Sequence, residues 1–391
     1  MGDTMGADVF VFAGSGSGGH LVPGLAVADA IRRRLPTAEI LFLTTGQSFD
    51  RELLGHHGYR RFEQQVREYP SGPLQWPGYW LSFQWSVAAC RSLFRREQPR
   101  AVIGLGGLAS APGILAARAL GIRTAIINPD AIPGRTNRKL AAKAELVVMQ
   151  WEASRTHFPP TANCQAWGCP IREPFMQLAA RAARPIAEDG QAPAPSEDGL
   201  GDSRSAFDLA WSRPALLVSG ATTDAASLND LASRVWPDFS TQHPEWQLLH
   251  LTGKRDEAAV SRNYETAGIR RDGWRVLSYT HEMWHAIAAA DVVITRAGAS
   301  TIAELTTLGK PSILLPLPAD AEQDQPANAR LLVERGGALR IEGTSLSRTA
   351  ELLRAALEQL TQRPLRETMA EAARKLARPS ATERIAEWAV A

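Results

Sequence analysis

The sequence predicts an α/β protein made of two Rossmann-like domains, each a doubly wound parallel sheet, facing each other across a cleft. Three observations lead there. Short apolar runs of β type alternate with helix-length stretches in two successive series, the pattern of parallel strands covered on both faces. Each series opens with a strand that runs into a glycine turn, "FAGSGSGG" at 12–19 and "VSGATTD" at 218–224. Between the series lies "RAARPIAEDGQAPAPSEDGLGDSRS", 181–205, rich in Ala, Pro, Gly and acids with no apolar period, which reads as a connector or insertion.

The first series places strands at 9–13, 40–44, 101–105, 124–127 and 146–149, and the second at 215–218, 247–251, 274–277, 291–295 and 312–316. The expected domains are 1–170, rejoined by a C-terminal helix at about 378–391, and 171–377. With 391 residues, 45% hydrophobic and 21% charged, the chain can bury two cores, and disorder as its main state is excluded. A net charge of +2 gives no case for a nucleic-acid partner, although Arg32, Arg33, Arg34, Arg60, Arg61, Arg91, Arg95 and Arg96 crowd the first half. Cys90, Cys164 and Cys169 form neither an even disulfide framework nor a CxxC pair, which suits a reducing compartment. The start, "MGDTMGADVF", carries acids where a signal peptide needs positive charge, so a cytoplasmic protein is expected.

The segment "YPSGPLQWPGYWLSFQWSVAAC", 69–90, holds no charge and is long enough to span a bilayer. Pro73, Pro77, Gln75 and Gln84 argue against a helix buried in hydrocarbon. Trp76, Tyr79, Trp80, Phe83 and Trp85 cluster there, followed by Arg91, Arg95 and Arg96. Aromatics beside arginines suit a surface resting among lipid headgroups, so this is the expected membrane patch; the other reading is core aromatics under a loop.

In open parallel sheets ligands settle at the carboxyl ends of strands, where glycine turns and helix N-termini converge on phosphate. Four such loops occur: the two that open the series, "VIGLGGLAS" at 102–110 and "VITRAGAST" at 293–301. A diphosphate is therefore a natural ligand. Gly14, Gly16 and Gly19 also fit a dinucleotide fingerprint, but the next strand, "EILFLTTG", ends in threonines and glycine where that fingerprint needs an acid.

"GSGSGGHLVPGLAVA", "GLGGLASAPG", "IPGRTNRKLA", "GCPIREPF" and "TRAGASTIAELTTLGKPSILLPLP" followed by "DQPANA" stand in one order and spacing. In these the chain resembles the MurG family, glycosyltransferase family 28. The resemblance implies a GT-B fold and an inverting transfer of GlcNAc from UDP-GlcNAc to the C4 hydroxyl of the MurNAc unit of a lipid-linked diphosphate, lipid I. The product is lipid II, for peptidoglycan, made at the cytoplasmic face of the membrane without a cofactor. On the donor side it implies Glu304 at the ribose, and Ala299, Ser300 and Thr301 at the α-phosphate. Tyr279 and Thr280 would meet uracil, Arg172 the phosphates and Gln325 the sugar hydroxyls, with Thr222 keeping a hydroxyl on the loop that opens the second series. On the acceptor side Ser17, Gly18, Gly19, Gly106 and Gly107 match the diphosphate loops, and His20 matches the general base. Two departures stand out. "INPDAIPGRTN" lacks the family's glutamate and puts Asp130 where an asparagine contacts the donor, and "GATTDA" puts Asp224 in place of a glycine beside the diphosphate.

"HEMWH", 281–285, is a literal HExxH, which on one helix face could hold zinc. With no third ligand nearby and strand–helix patterning on both sides, no metal site is expected, and no DxD-type carboxylate pair lies at a phosphate loop. The alternatives that remain open are a GT-B transferase with another lipid acceptor, a UDP-GlcNAc 2-epimerase, and a catalytically silent UDP-sugar-binding scaffold.

Overall fold

The computed structural model describes residues 8–15, 18–67, 69–182, 200–220, 225–319 and 324–391. Ser17, Thr222 and Asp224, and 183–199 of the expected connector, lie outside the described residues. The chain divides into two compact units, one formed by Met1–Arg172, Ala319–Asp324 and Arg378–Ala391, the other by Glu173–Pro318 and Gln325–Ala377.

Among the described residues, the first unit is built on a seven-stranded sheet. Its strands are β1 (Val9–Ala13), β2 (Glu39–Thr44), β3 (Arg60–Glu63), β4 (Ala101–Gly104), β5 (Arg123–Asn128), β6 (Leu146–Met149) and β7 (Cys164–Gln165). All neighbours pair in parallel, in the order β3-β2-β1-β4-β5-β6-β7. Every residue of β1, "VFVFA", is buried, as a central strand between two helical layers requires. On one face the helix Gly18–Arg34 presents Leu21, Leu25, Ala28 and Ile31, spaced by helical turns, to Phe10, Phe12 and Phe42. The C-terminal helix Ala381–Val390 adds Ile385, Ala386 and Ala389 to the same core. Its Glu383 and Glu387 pair with Arg33 and Arg34 at 2.8–2.9 Å, exposed contacts worth no more than about 1 kcal/mol each. On the other face Leu93, Phe94, Ile114 and Ala117 cover Val11, Leu43, Val102 and Ile126.

The second unit has a six-stranded sheet among the described residues. Its strands are β8 (Ala215–Ser219), β9 (Gln247–Leu251), β10 (Trp274–Leu277), β11 (Val292–Thr295), β12 (Ser312–Leu314) and β13 (Ala338–Arg340). They are again parallel, in the order β10-β9-β8-β11-β12-β13. Leu216, Val218, Trp236, Trp274, Leu353 and Leu357 lie in its main core.

The expectation of two parallel-sheet α/β domains therefore holds, and three edge or near-edge strands absent from it, β3, β7 and β13, complete the sheets. Both ends of the expected connector are helical: Glu173–Ala182 runs into it and Leu200–Ser205 closes it. The uncharged segment 69–90 forms a short turn, Pro73–Gln75, and then the 22-residue helix Trp76–Glu97. No helix of the described residues is long and apolar enough to cross a membrane.

Candidate active site

Strand order reverses between β1 and β4 in the first sheet and between β8 and β11 in the second, and such switch points open crevices at the carboxyl ends of strands. The helices that follow these strands, Gly18–Arg34, Ser110–Ala119, Ala225–Gln242 and Ala299–Leu308, carry no acid in their first turns. By contrast Asp50, Glu173, Glu257 and Glu383 occupy the first turns of helices elsewhere. The positive helix ends at the switch points thus meet no carboxylate from their own first turn, the condition for receiving an anion.

In the first unit the structure brings His20 and the β4 loop together. Gly106 and Gly107 turn with φ of +99° and +67°, a region open to glycine. A Cβ added to Gly106 would stand 3.3 Å from His20 Cδ2, 3.4 Å from Nε2 and 3.7 Å from Asn137 Nδ2. One on Gly107 would stand 3.6 Å from His20 Nδ1. The imidazole therefore lies on a side-chain-free turn, with Gly18 and Gly19 immediately before it in its own helix. Gly14 has another role: a Cβ there would lie 2.7 Å from Leu105 Cβ, so this glycine permits close packing of β1 on the β4 loop.

Asn137 Nδ2 donates to Ile127 O at 3.3 Å and to Asn128 Oδ1 at 3.1 Å, and Asn128 Nδ2 donates to Asp130 O at 2.8 Å. Asp130, expected on the donor, is thus buried in the first unit at the end of this amide chain. The sequence reading overlooked Asp50, a fully buried carboxylate that accepts from Ser15 Oγ, while Ser15 Oγ accepts from Thr45 N at 3.1 Å. These bonds tie the β1 loop to the β2 loop.

In the second unit Ala299 opens the helix Ala299–Leu308 behind an extended Gly298. Glu304 follows Ser300 by four residues and Thr301 by three, so the three share a helix face. Glu304 is buried, while Ser300 and Thr301 are half-buried. Gln325, also buried, accepts at Oε1 from Ala297 N at 3.2 Å and from Leu317 N at 3.0 Å, so the accepting side of its amide braces two loops. Arg296, inside the glycine turn "TRAGAST", has no sequence signal of its own. It is buried at the end of β11 and donates to Ser227 Oγ and, at 3.0 Å, to Leu315 O. Arg172, half-buried, ends the main segment of the first unit.

Tyr279 and Thr280 sit on the β10 loop, three strands from β11, about 14 Å by strand spacing. A ligand touching both loops must lie along the sheet edge. Tyr279 is exposed with its ring edge-on to His281 at 4.9 Å, and Thr280 Oγ1 accepts from Glu282 N at 3.0 Å. Glu282 is the N-cap of the helix Met283–Ala289, so His281 precedes that helix and shares no helical face with His285. His285 Nδ1 is instead 2.9 Å from Ser203 Oγ.

The aromatic cluster divides along the helix Trp76–Glu97. Tyr79 and Phe83, expected in the patch, turn inward: Tyr79 is 8% exposed, stacks on Tyr69 at 5.3 Å and on Phe83 at 6.1 Å, and Phe83 packs on the sheet core. Helical spacing puts them on the face that also carries Val87, Cys90 and Phe94. Burial raises the Tyr79 hydroxyl to about 12, with the adjacent Tyr69 adding to the shift. Trp76, Trp80 and Trp85 remain 43%, 54% and 75% exposed, and Leu74 in the preceding turn and Leu81 on the helix are exposed large apolar residues beside them. Arg91, Arg95 and Arg96 are exposed toward the end of the same helix.

The sequence matches the glycosyltransferase family 28 N-terminal domain over residues 10–149 and the glycosyltransferase family 28 C-terminal domain over residues 215–385. It is 33% identical over 385 residues to a protein of Geobacter sulfurreducens named UDP-N-acetylglucosamine--N-acetylmuramyl-(pentapeptide) pyrophosphoryl-undecaprenol N-acetylglucosamine transferase, covering 97% of this chain and 98% of that one. A protein of the same name from Desulforudis audaxviator is 34% identical over 381 residues, 96% of each chain. Among solved structures, MurG of Acinetobacter baumannii superposes with a TM-score of 0.72 at 24% identity, covering 98% of this chain and 99% of that one. A UDP-GlcNAc 2-epimerase from Neisseria meningitidis bound to UDP-GlcNAc gives 0.66 at 12% identity, over 97% and 98% of the two chains. These two likenesses speak for the GT-B fold alone. The match of both domains and the near full-length identity decide the rest: the chain belongs to glycosyltransferase family 28.

Proposed function

We propose that the chain is an inverting N-acetylglucosaminyltransferase that moves GlcNAc from UDP-GlcNAc to the C4 hydroxyl of a MurNAc unit on a polyprenyl diphosphate, lipid I, giving lipid II. The observation that carries this reading is the imidazole of His20 lying on the Gly106–Gly107 turn at a switch point whose helix ends suit a diphosphate. The names of the relatives supply the sugar and the acceptor.

In this reading the first unit holds the acceptor and the second the donor. His20 takes the proton of the attacking C4 hydroxyl while the new C1–O bond forms opposite the departing group. The bond from C1 to the diphosphate breaks with its electron pair, inverting the anomeric centre and releasing UDP. The N-terminus of the helix Ala299–Leu308, with Ser300 and Thr301, stabilises the charge that gathers on the diphosphate. Glu304 accepts from the vicinal ribose hydroxyls, a task for which a buried carboxylate with two oxygens is suited. Tyr279 and Thr280 receive uracil. Because a polyprenyl acceptor stays in the bilayer, the exposed side chains of Leu74, Trp76, Trp80, Leu81 and Trp85, with Arg91, Arg95 and Arg96, meet the cytoplasmic surface of the membrane.

The decisive experiment incubates the chain with radiolabelled UDP-GlcNAc and lipid I in vesicles and identifies the products. Label in a disaccharide lipid, formed only with acceptor, supports the proposal. UDP-ManNAc formed without acceptor would point to an epimerase, and saturable UDP binding with no product to a scaffold.

A further inference from the structure

The second unit contains a buried polar chain that the transfer chemistry does not use. His250, on β9, is fully buried, with Nδ1 2.9 Å from the Tyr264 hydroxyl and Nε2 3.0 Å from Asn229 Oδ1. Asn229, on the helix Ala225–Gln242, donates from Nδ2 to Thr252 O at 2.9 Å and to Asp256 Oδ2 at 3.0 Å. Both of those partners can only accept, which fixes the amide and leaves its oxygen facing His250. Nε2 must therefore carry a hydrogen, and the Tyr264 hydroxyl donates to a bare Nδ1. Burial lowers His250 to about 3, in agreement with a neutral ring.

The chain continues toward the β10 loop. Thr252 N donates to Leu277 O at 3.0 Å, Gly253 N donates to Ser278 O at 2.9 Å, and Thr252 Oγ1 reaches Gly253 O at 3.1 Å. The next two residues are Tyr279 and Thr280. His250 thus holds the amide of Asn229, Asn229 holds the β9 loop at Thr252 and Asp256, and the β9 loop holds the β10 loop through backbone bonds; Ser227, two residues before Asn229, extends the lacing to Arg296 on the far side of the switch point.

We infer that His250 is a positioning residue for the nucleobase end of the donor site: bridging Tyr264 and Asn229, it sets the β9 loop against which the Tyr279–Thr280 turn is held. The inference rests on the reading of that turn as the uracil contact. A neutral bridge with one donor and one acceptor is the chemistry required; an apolar side chain of similar size keeps the packing and loses the bridge, whereas glutamine offers both groups.

The test uses the full chain with His250→Leu and His250→Gln. In His250→Leu the UDP affinity falls about tenfold and donor KM rises by the same factor, the loss of roughly one buried hydrogen bond. The kcat at saturating donor changes less than about twofold, and discrimination between UDP and ADP narrows by about as much as the affinity falls. His250→Gln restores the parent values. Without any nucleotide, amides 278–282 exchange hydrogen about tenfold faster in His250→Leu than in the parent. A folded His250→Leu with parental UDP affinity and parental exchange overturns the inference, as does a loss confined to kcat. Should that variant not fold, Tyr264→Phe removes a single hydroxyl, and unchanged UDP affinity there overturns it equally. A parent chain that binds no UDP sinks the donor reading and the inference together; a parent that binds UDP beside an unaffected variant sinks the inference alone.

Discussion

The imidazole of His20 lies on Gly106, close enough that a single added Cβ would stand 3.3 Å from its Cδ2. Gly106 also holds φ at +99°, which a side chain rarely adopts. Gly106→Ala should therefore cost about 1–3 kcal/mol of stability by backbone strain and displace the histidine. We expect a lower urea midpoint together with a turnover at least about tenfold down, since misplacing a reacting group by an ångström can cost more than that. Parental turnover in this variant would mean that His20 does not act from its place on the turn.

His20→Ala tests the base directly. Removing one acid–base group lowers turnover by about 10²- to 10⁴-fold. Binding of UDP, measured by calorimetry, should stay within a few tenths of a kcal/mol, because no donor contact is assigned to the first-unit histidine. A variant that turns over normally would leave His20 with a structural role at the start of its helix.

On the donor side Glu304→Gln keeps the size of a buried side chain and removes its charge. Charge-assisted hydrogen bonds are worth about 1.5–3 kcal/mol, so UDP affinity should fall about 10- to 100-fold. The matching deoxy test uses 2′-deoxy-UDP, which should bind the parent weakly and lose little further in the variant. Parental UDP affinity in Glu304→Gln would move the ribose elsewhere.

What could be read from the sequence follows from how each part is held. The central strands were legible because burial on both faces writes an unbroken apolar run, as in "VFVFA" and "VVIT". β3, "RRFE", lies at a sheet edge, with none of its residues buried and two arginines in its run, so nothing in its pattern announced it. Pro77, one of the residues that argue against a helix buried in hydrocarbon, stands in the first turn of the helix Trp76–Glu97, where a proline fits. Motif residues such as His20 and Glu304 were found because each sits in a local run with a chemical logic. Asn229, Tyr264 and the pair His250 and Thr252 were not, because they come from three separate segments that only the fold brings together. Even then a histidine inside "QLLHL" reads as one more strand residue.

His250 also gives the protein a defined acid sensitivity. Its ordinary value near 6.5 is lowered to about 3 by burial, so between those limits the unfolded chain binds a proton that the folded chain does not. This contribution to stability is fully present above about pH 6.5 and is lost as pH falls, by about 2 kcal/mol at pH 5. Glu63 and Asp272, held below their usual range by Arg51 and Arg270, add a loss of the same sign at lower pH, common to any His250 variant. Urea unfolding at pH 7.5 and pH 5 should thus show a clear drop for the parent and a smaller one for His250→Gln. Equal drops would place the acid sensitivity elsewhere.

The exposed tryptophans of the helix Trp76–Glu97 set the last expectation. Trp80 and Trp85 are 54% and 75% exposed, on a helix whose inner face is already filled by Tyr79, Phe83 and Phe94, so they can be changed without opening the core. Fully burying one large apolar side chain contributes about 1.5–3 kcal/mol, and each arginine near an anionic surface about 1 kcal/mol. Two inserted indoles with Arg91, Arg95 and Arg96 therefore suffice for reversible attachment without a spanning helix. Trp80→Ser combined with Arg95→Glu should weaken sedimentation with anionic vesicles by at least about 100-fold, through one lost indole and a reversed charge. It should depress activity on vesicle-embedded acceptor while leaving UDP binding and the melting temperature near the parent's. Raising the salt should weaken the parent's binding, since the arginine share is screened, but not abolish it, since the indole share is not. If the double variant sediments as well as the parent, or the parent never binds vesicles, the exposed tryptophans face something other than lipid.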